Sequence, residues 1–216
     1  MKKNLNYLDF PMAMIAIDLD DTLVDLFPNL VNYINIKYST DFVIEDFCVF
    51  EFWDIVAKKV PGYSESNGIR DIYEFSETPE FDMVQPIEGA QEAVGLLKEI
   101  DDMMIITARS DRLYQKTERC IDMHFYSSFQ EIFYTNGMLG FEKNVTKGEA
   151  ALIKGARLGI DDGAHNVIDY AKKGIPSYLF GRTWNKKNKA VKEFDLINHF
   201  NYWNCIYNHI AKGKYY

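Results

Sequence analysis

Three carboxylates and a hydroxyl follow a short apolar run near the start of the chain. Residues 14–17 are apolar, and Asp18, Asp20, Asp21 and Thr22 come directly after them. An apolar run that ends in a polar turn is typical of a buried strand in a parallel sheet, and such sheets place their chemistry beyond the carboxyl ends of the strands. Because clustered carboxylates repel one another, Mg²⁺, which prefers carboxylate oxygens, is a natural counter-ion. The alternative is a solvated acidic turn.

Polar residues also follow two later apolar runs. Thr107 comes after Ile105-Ile106, and the pair Asp161-Asp162 comes after Gly159-Ile160. Each signal alone has an ordinary explanation, because a Thr before a helix is commonly its cap and Asp is a frequent turn residue. Since strand ends converge near one crevice in a doubly wound sheet, the three signals together predict a site.

A lysine supplies positive charge for this site. Residues 146–149, Thr-Lys-Gly-Glu, match the capping box S/T-x-x-E, which places Thr146 at the N-cap and Lys147 in the first turn of a helix. A cation there opposes the helix dipole at a cost of about 0.3–1 kcal/mol, which suggests that Lys147 binds an anion together with nearby backbone amides. The alternatives are an exposed lysine in a weak helix, and Lys154 in the same role.

The elements that must position these residues alternate between strand and helix. Alternation of this kind is typical of an α/β fold with a doubly wound parallel sheet covered on both faces. The predicted strands are Met14–Asp18, Met103–Thr107, Glu131–Thr135, Leu158–Asp161 and Ser177–Phe180. The predicted helices are Glu88–Glu99, Asp111–Met123, Lys147–Lys154 and Ala164–Lys173.

One long gap indicates an insertion. Residues 24–102 separate the first two predicted strands, whereas a whole βαβ unit takes about 30 residues or more, so roughly 40 to 50 residues are left over. We expect a small cap at 27–84, and a catalytic core formed by 1–26 and 85–216. The cap is rich in aromatic residues, most of which must fill its own core. Phe52 and Trp53 are the best candidates for a stacking platform at the site.

Composition narrows the class of protein. At 216 residues the chain can hold one α/β domain with a sizeable insertion, and a net charge of −8 argues against a binder of nucleic acid polymers. The three cysteines include no CxxC pair, which disfavours a disulfide framework or zinc site and favours the cytoplasm. No run approaches the roughly 18 apolar residues of a membrane span, so we expect no membrane association.

With these motifs the chain resembles the haloacid dehalogenase superfamily of phosphohydrolases. Its four motifs are Asp-x-Asp-x-Thr, a Ser or Thr after the second strand, a Lys, and an acidic pair. They occur here in order as residues 18–22, Thr107, Lys147 and Asp161-Asp162. The insertion, Pro86-Ile87-Glu88-Gly89-Ala90 and Arg182-Thr183-Trp184-Asn185 resemble the 5′-nucleotidase and 5′(3′)-deoxyribonucleotidase branch. The resemblance covers roughly residues 12 to 190 and implies a mainly helical cap.

The resemblance implies roles for the motif residues in phosphomonoester hydrolysis. Asp18 would be the nucleophile that forms an aspartyl-phosphate, and Asp20 would act first as general acid and then as general base. Mg²⁺ would be held by the Asp18 carboxylate, the Asp20 backbone carbonyl and the pair Asp161 and Asp162, with Asp161 favoured as the direct ligand of the two.

The remaining implied roles concern the substrate. The phosphoryl oxygens would be held by Thr107, Ala108 and Lys147. Arg109, Phe52 and Trp53 are expected to contact the rest of a small phosphomonoester, which the branch resemblance indicates is a nucleotide. The sequence determines neither the base, sugar or phosphate position nor the oligomeric state, and a homodimer is compatible with it.

Three other interpretations stay open at the level of sequence. A phosphatase for another small phosphomonoester, such as a sugar phosphate, would need the same motifs. A signalling receiver domain also combines an Asp, a Thr and a Lys with Mg²⁺. Receiver domains, however, have a shorter sheet with the acid pair near its start, whereas the pair Asp161-Asp162 comes late in this chain. A catalytically idle relative is disfavoured because every motif position holds a competent residue.

Overall fold

The strands that carry the candidate residues lie at the centre of a six-stranded parallel sheet. The structure is a computed structural model that describes residues 14–135 and 145–213. The strand order is β3-β2-β1-β4-β5-β6, and every neighbouring pair is parallel. The bounds are β1 Met14–Ile17, β2 Asp102–Thr107, β3 Glu131–Tyr134, β4 Ala156–Asp161, β5 Ser177–Phe180 and β6 Ile197–Phe200. The predicted α/β fold class is confirmed.

Helices cover both faces of this sheet. Because side chains alternate along a strand, Ile15 and Ile17 of β1 pack on one face and Ala16 on the other. The first face is covered by α5 (Ala90–Leu97), α6 (Tyr114–Phe125) and α9 (Trp203–Ala211), and the second by α7 (Lys147–Ile153) and α8 (Ala164–Lys172). The sheet is therefore doubly wound, as predicted.

Strand register brings three of the predicted site segments level with one another. Ile17 is paired with Ile105 of β2 on one side and with Ile160 of β4 on the other. The backbone amide of Asp18 donates to the carbonyl of Ile160 at 2.9 Å. Asp18 therefore lies directly beside Asp161, at the carboxyl edge of the sheet.

Two elements at the end of the chain were missed in the sequence. The strand β6 has only four residues, Ile-Asn-His-Phe, and its two middle residues are exposed, so it carries little apolar signal. The helix α9 buries Trp203, Ile206 and Ile210, which have helical spacing that could have predicted it. The other predicted elements exist, with ends that coincide with the prediction or differ from it by up to three residues; residues 111–113 form a 3-10 turn before α6.

The region between β1 and α5 is helical. Its helices are α1 Phe27–Tyr38, α2 Phe52–Val56, α3 Glu65–Ser76 and α4 Pro79–Asp82. The chain enters and leaves this region side by side, because the amide of Asp25 donates to the carbonyl of Gln85 at 2.9 Å and the amide of Ile87 donates to that of Leu23 at 2.9 Å. The division into a core and a cap at residues 27–84 stays a prediction. We call residues 27–84 the insertion below.

A buried carboxylate ties the helices of the insertion together. Asp71 of α3 is fully buried and accepts hydrogen bonds from Tyr63 at 2.8 Å, from Lys37 of α1 at 2.8 Å and from Tyr38 at 3.2 Å. A buried charge is tolerated only when it is paired and hydrogen-bonded. Asp71 is therefore a structural anchor of the insertion.

None of the helices within the described ranges has the length and apolar character needed to cross a membrane.

Replacing Asp71 by Ala should destabilise the protein. The change leaves Lys37 and two phenol groups without their buried acceptor, and we expect a loss of roughly 2–4 kcal/mol in the free energy of unfolding. Urea unfolding monitored by circular dichroism measures it. Asp122→Ala, an exposed position on α6, is the matched control and should change the free energy by less than about 0.5 kcal/mol. Equal values for the two variants would contradict the anchoring role.

Candidate active site

Three buried carboxylates and one buried lysine form the centre of the site. Lys147 Nζ lies 2.7 Å from Asp18 Oδ1 and 2.8 Å from Asp161 Oδ2. Asp18, Asp161 and Asp162 each offer a carboxylate oxygen, and these oxygens lie within 4.8 Å of one another. The sequence-predicted residues Asp18, Lys147, Asp161 and Asp162 are therefore brought together.

Asp18 and Asp161 are also held by hydrogen bonds from nearby backbone amides and from one side chain. Asp18 Oδ1 also accepts from the amide of Leu19 at 2.8 Å. Asp161 Oδ1 accepts from the amide of Gly163 and from Asn166, at 2.8 and 2.9 Å. Lys147 and the amide of Leu19 both donate to Oδ1 of Asp18, which leaves Oδ2 of Asp18 as the oxygen for a reaction partner.

The charges of the centre do not balance. Burial raises the pKa of Asp18 well above its usual value, although Lys147 opposes this. Burial and the neighbouring Asp161 raise the pKa of Asp162 to about 7. Burial lowers the pKa of Lys147, but Asp161 and Asp18 outweigh it and keep the lysine charged. One cation thus faces three carboxylates, and a further positive charge would relieve their repulsion.

A divalent cation fits this donor set. Hard ions such as Mg²⁺ bind oxygen ligands and commonly use one or two carboxylates, and the oxygens of Asp18, Asp161 and Asp162 are close enough to share one ion. The side chain of Asp20 lies outside this group, because both of its oxygens bind Arg109. The prediction that Asp20 contributes its backbone carbonyl instead stays untested.

Lys147 is held in place by the start of α7. The predicted capping box is confirmed, with Thr146 as the N-cap. The hydroxyl of Thr146 accepts from the amide of Glu149 at 3.1 Å, and the carboxylate of Glu149 accepts from the amide of Thr146 at 2.7 Å. The carboxylate of Asp169 on α8 accepts from the amide of Gly148 at 2.8 Å. An anion at a helix N-terminus is stabilising, so Asp169 offsets the unfavourable position of Lys147. Lys154, the alternative lysine, instead binds Glu131 at 2.5 Å.

The segment after β2 lies beside this centre. Thr107 is fully buried, and its hydroxyl accepts from the amide of Arg109 at 3.1 Å. Ala108 lines the pocket described next, whereas Thr107 and Arg109 are not among its lining residues. The predicted phosphate contacts of Thr107 and Ala108 stay predictions. Arg109 is fully buried, so its position does not support the predicted contact with substrate.

A largely apolar pocket of about 720 Å³ opens above the acidic centre. Its volume falls within the range of about 300–1,000 Å³ that is usual for small-molecule sites. Asp18, Asp20 and Lys147 lie in its wall, as do the two predicted aromatic residues Phe52 and Trp53. The insertion and the sheet edge therefore enclose one chamber that joins charged groups to aromatic ones.

Sequence reasoning did not assign several residues of the chamber to the site, although it noted Trp184 in the motif at residues 182–185. Trp184 lines the chamber, donates from Nε1 to Asp162 Oδ2 at 2.8 Å and packs edge-to-face on Phe27 at 5.0 Å between ring centroids. Its position shortly after the carboxyl end of β5 was a usable signal. Phe27 and Phe81 also line the chamber, but nothing in the sequence distinguished them from the other aromatic residues of the insertion.

Solved structures of known proteins share this fold. A haloacid dehalogenase-like hydrolase from Streptococcus pneumoniae superposes with a TM-score of 0.64 at 13% identity, covering 92% of this chain and 98% of that chain. A HAD family hydrolase from Deinococcus radiodurans R1, solved with bound phosphate and sodium, gives 0.66 at 13% identity, with 96% and 98% covered. At such identities the likeness establishes the fold.

Sequence relatives are more specific. A 5′(3′)-deoxyribonucleotidase of Bacillus subtilis (strain 168) is 29% identical over 183 residues, which are 83% of this chain and 91% of the relative. A protein of the same name from Bacillus phage SPbeta matches equally. The model of the family described as 5′ nucleotidase, deoxy (pyrimidine), cytosolic type C protein matches residues 12–212.

The family model and the sequence relatives define the class of protein, a phosphoric monoester hydrolase, and the solved structures show that it has a haloacid dehalogenase-like fold. Since the family model spans nearly the whole chain, this chain belongs to the 5′ nucleotidase, deoxy (pyrimidine), cytosolic type C family. The predicted superfamily and branch are thereby confirmed.

Mg²⁺ should stabilise the protein through the acidic centre. A ligand that binds only the folded state raises stability as its concentration exceeds its dissociation constant, by about 2.7 kcal/mol at a hundredfold excess. We expect the melting temperature in differential scanning fluorimetry to rise with Mg²⁺, and the rise to be lost in Asp161→Asn. The exposed variant Asp122→Asn should retain it. A rise that persists in Asp161→Asn would place the ion elsewhere.

Gly148→Ala should displace Lys147. A Cβ at this position would collide with the Asp169 carboxylate and lie 3.0 Å from the Asp169 backbone. Because the start of α7 must move, we expect kcat for phosphomonoester hydrolysis to fall at least about tenfold. Gly95→Ala in α5 is the matched control, since its Cβ would meet nothing within 4 Å, and it should retain wild-type kcat. Wild-type activity of Gly148→Ala would refute the fixed position of Lys147.

Proposed function

We propose that this protein is a Mg²⁺-dependent nucleotidase, a 5′-nucleotidase or 5′(3′)-deoxyribonucleotidase that hydrolyses nucleoside monophosphates through an aspartyl-phosphate. The observation that carries the proposal is the chamber itself. Asp18, Asp20 and Lys147 line this chamber together with Phe52, Trp53 and other aromatic side chains. One end has the chemistry for a phosphoryl group, and the other suits a flat, apolar leaving group.

The first half-reaction transfers the phosphoryl group to the protein. Asp18 Oδ2 attacks phosphorus, and the bond between phosphorus and the ester oxygen breaks. Asp20 enters this step carrying the proton that the second half-reaction of the previous cycle took from water, and it gives that proton to the ester oxygen, so the leaving group departs as a neutral alcohol. Lys147, charged and in contact with Asp18, reduces repulsion between the nucleophile and the anionic substrate.

The second half-reaction restores the protein. Asp20, now a carboxylate, takes a proton from water as the water oxygen attacks phosphorus. The bond between phosphorus and Asp18 then breaks and releases inorganic phosphate. In sum, one phosphomonoester and one water give one alcohol and one phosphate. Bound Mg²⁺ would neutralise charge on the transferring oxygens, held by Asp18 and the pair Asp161 and Asp162.

Different parts of the chamber bind the phosphate and the base. We propose that Thr107, Ala108 and Lys147 surround the phosphoryl oxygens, supported by the position of Thr107 and Ala108 at the carboxyl end of β2 and by the contact of Lys147 with Asp18. A nucleobase stacks on Trp53 or Phe52, supported by the two rings lining the pocket. Such stacking contributes about 1–3 kcal/mol per base. The insertion acts as the cap that excludes water during chemistry.

The cytoplasm is the proposed location. Cys48, Cys120 and Cys205 are all free, and Cys48 and Cys205 are exposed, as suits a reducing compartment.

Substrate preference tests the proposal. Rates of phosphate release in Mg²⁺ should be higher for nucleoside 5′- or 3′-monophosphates than for glycerol phosphate or hexose phosphates. Asp18→Asn should lower kcat by about a thousandfold or more on every substrate, because it removes the nucleophile. Trp53→Ala should raise KM for nucleotides by about 5- to 150-fold, the equivalent of the stacking energy, and leave KM for glycerol phosphate unchanged.

The alternative function would give a different pattern. Equal rates on nucleotides and on glycerol or hexose phosphates would reject nucleotide specificity and leave a general phosphomonoesterase. Full activity of Asp18→Asn would reject the aspartyl-phosphate route. Asp122→Asn, on the exposed face of α6, should behave as wild type throughout.

A further inference from the structure

Arg109 makes a contact that sequence reasoning did not foresee. Its Nε donates to Asp20 Oδ2 at 2.8 Å, and a terminal nitrogen, Nη2, donates to Asp20 Oδ1 at 2.6 Å. Paired parallel hydrogen bonds between a guanidinium and a carboxylate fix both distance and orientation. The two residues are far apart in the chain, and the pair bridges the loop after β1 and the loop after β2.

The remaining surroundings of Arg109 hold the guanidinium still. Its other terminal nitrogen, Nη1, donates to the hydroxyl of Thr117 on α6 at 3.2 Å. Its own amide donates to Thr107, so the backbone of the loop is fixed as well. With three guanidinium contacts made and no exposed surface, Arg109 has little means of reaching a substrate phosphate.

The insertion closes over this ion pair. The ring of Phe81 on α4 lies over the guanidinium, 4.6 Å from Cζ to the ring centroid, and Phe81 is itself buried. Lys116 of α6 binds the carbonyl of Ser76 at 2.6 Å and so ties the end of α3 to the same place. Because Arg109 is fully buried and the side chain of Asp20 is only 12% exposed, the attraction between them is weakened less by solvent than at an exposed site.

Asp20, unlike Arg109, reaches the chamber. It is a lining residue, and its side chain retains 12% exposure. We propose that Arg109 is a positioning residue for the Asp20 carboxyl, which it holds in the orientation needed to exchange a proton with the leaving-group oxygen. This inference rests on the proposed role of Asp20 as general acid and base. It differs from the expectation that Arg109 contacts the substrate, which stays a prediction.

The test uses the leaving group. An alcohol such as a nucleoside needs a proton from Asp20 as it departs, whereas p-nitrophenolate leaves readily without one. The ratio of kcat/KM for a nucleoside monophosphate to kcat/KM for p-nitrophenyl phosphate therefore reports proton donation in the first half-reaction. Asp20→Asn should lower this ratio at least about tenfold. Arg109→Lys, which keeps a charge but loses the paired geometry, should lower it in the same direction.

Arg109→Ala adds a second readout. Guanidinium ion at low millimolar concentration should restore part of the lost nucleotide activity in this variant and have no effect on wild type. If Arg109→Ala does not fold, Arg109→Lys alone decides. Arg119→Ala, an exposed arginine on the same helix as Thr117, should retain the wild-type ratio.

The outcomes separate two failures. An equal loss on both substrates in the Arg109 variants, or no loss on either, would overturn the positioning role, because a general structural defect does not distinguish leaving groups. If Asp20→Asn itself leaves the ratio at the wild-type value, the proposed acid role of Asp20 fails instead. A lowered ratio in Asp20→Asn and Arg109→Lys together supports the inference.

Discussion

The ion pairs of Lys147 with Asp18 and Asp161 are the constraint on which the rest of the site depends. Three carboxylates and one ammonium are buried at one edge of the sheet, where unpaired charge is costly. Because Lys147 contacts both Asp18 and Asp161, a single positive charge holds the two carboxylates together before a metal or a phosphoryl group binds. The excess of negative charge that remains is what makes the site receptive to a divalent cation.

The fold satisfies this constraint through ordinary secondary structure. The register of β1 against β4 sets Asp18 beside Asp161, and α7 begins where its first turn can present Lys147 to both. A lysine at a helix start is unfavourable, and Asp169 compensates by binding the amide of the next residue. Gly148 is needed there because a side chain would occupy the space that the carboxylate fills.

How much of this could be predicted depended on sequence distance. The capping box at Thr146, the strand ends and the motif acids are local patterns, and a convergent sheet edge follows from them. The pairing of Asp20 with Arg109 and the bond from Trp184 to Asp162 join residues far apart in the chain, and no local pattern encodes them. The edge strand β6 was missed for a different reason, since its polar, half-exposed residues resemble those of a loop.

A crystal structure of the protein with Mg²⁺ and beryllium fluoride, a mimic of a phosphoryl group, would test most directly whether Asp18, Lys147 and the acid pair bind a phosphoryl group and a divalent ion. We expect beryllium to be bound to a carboxylate oxygen of Asp18, the Mg²⁺ ion to contact Asp18 and the pair Asp161 and Asp162, and Lys147 Nζ to lie within hydrogen-bonding distance of a fluorine. Beryllium bound to another residue, or an ion away from these carboxylates, would contradict this expectation.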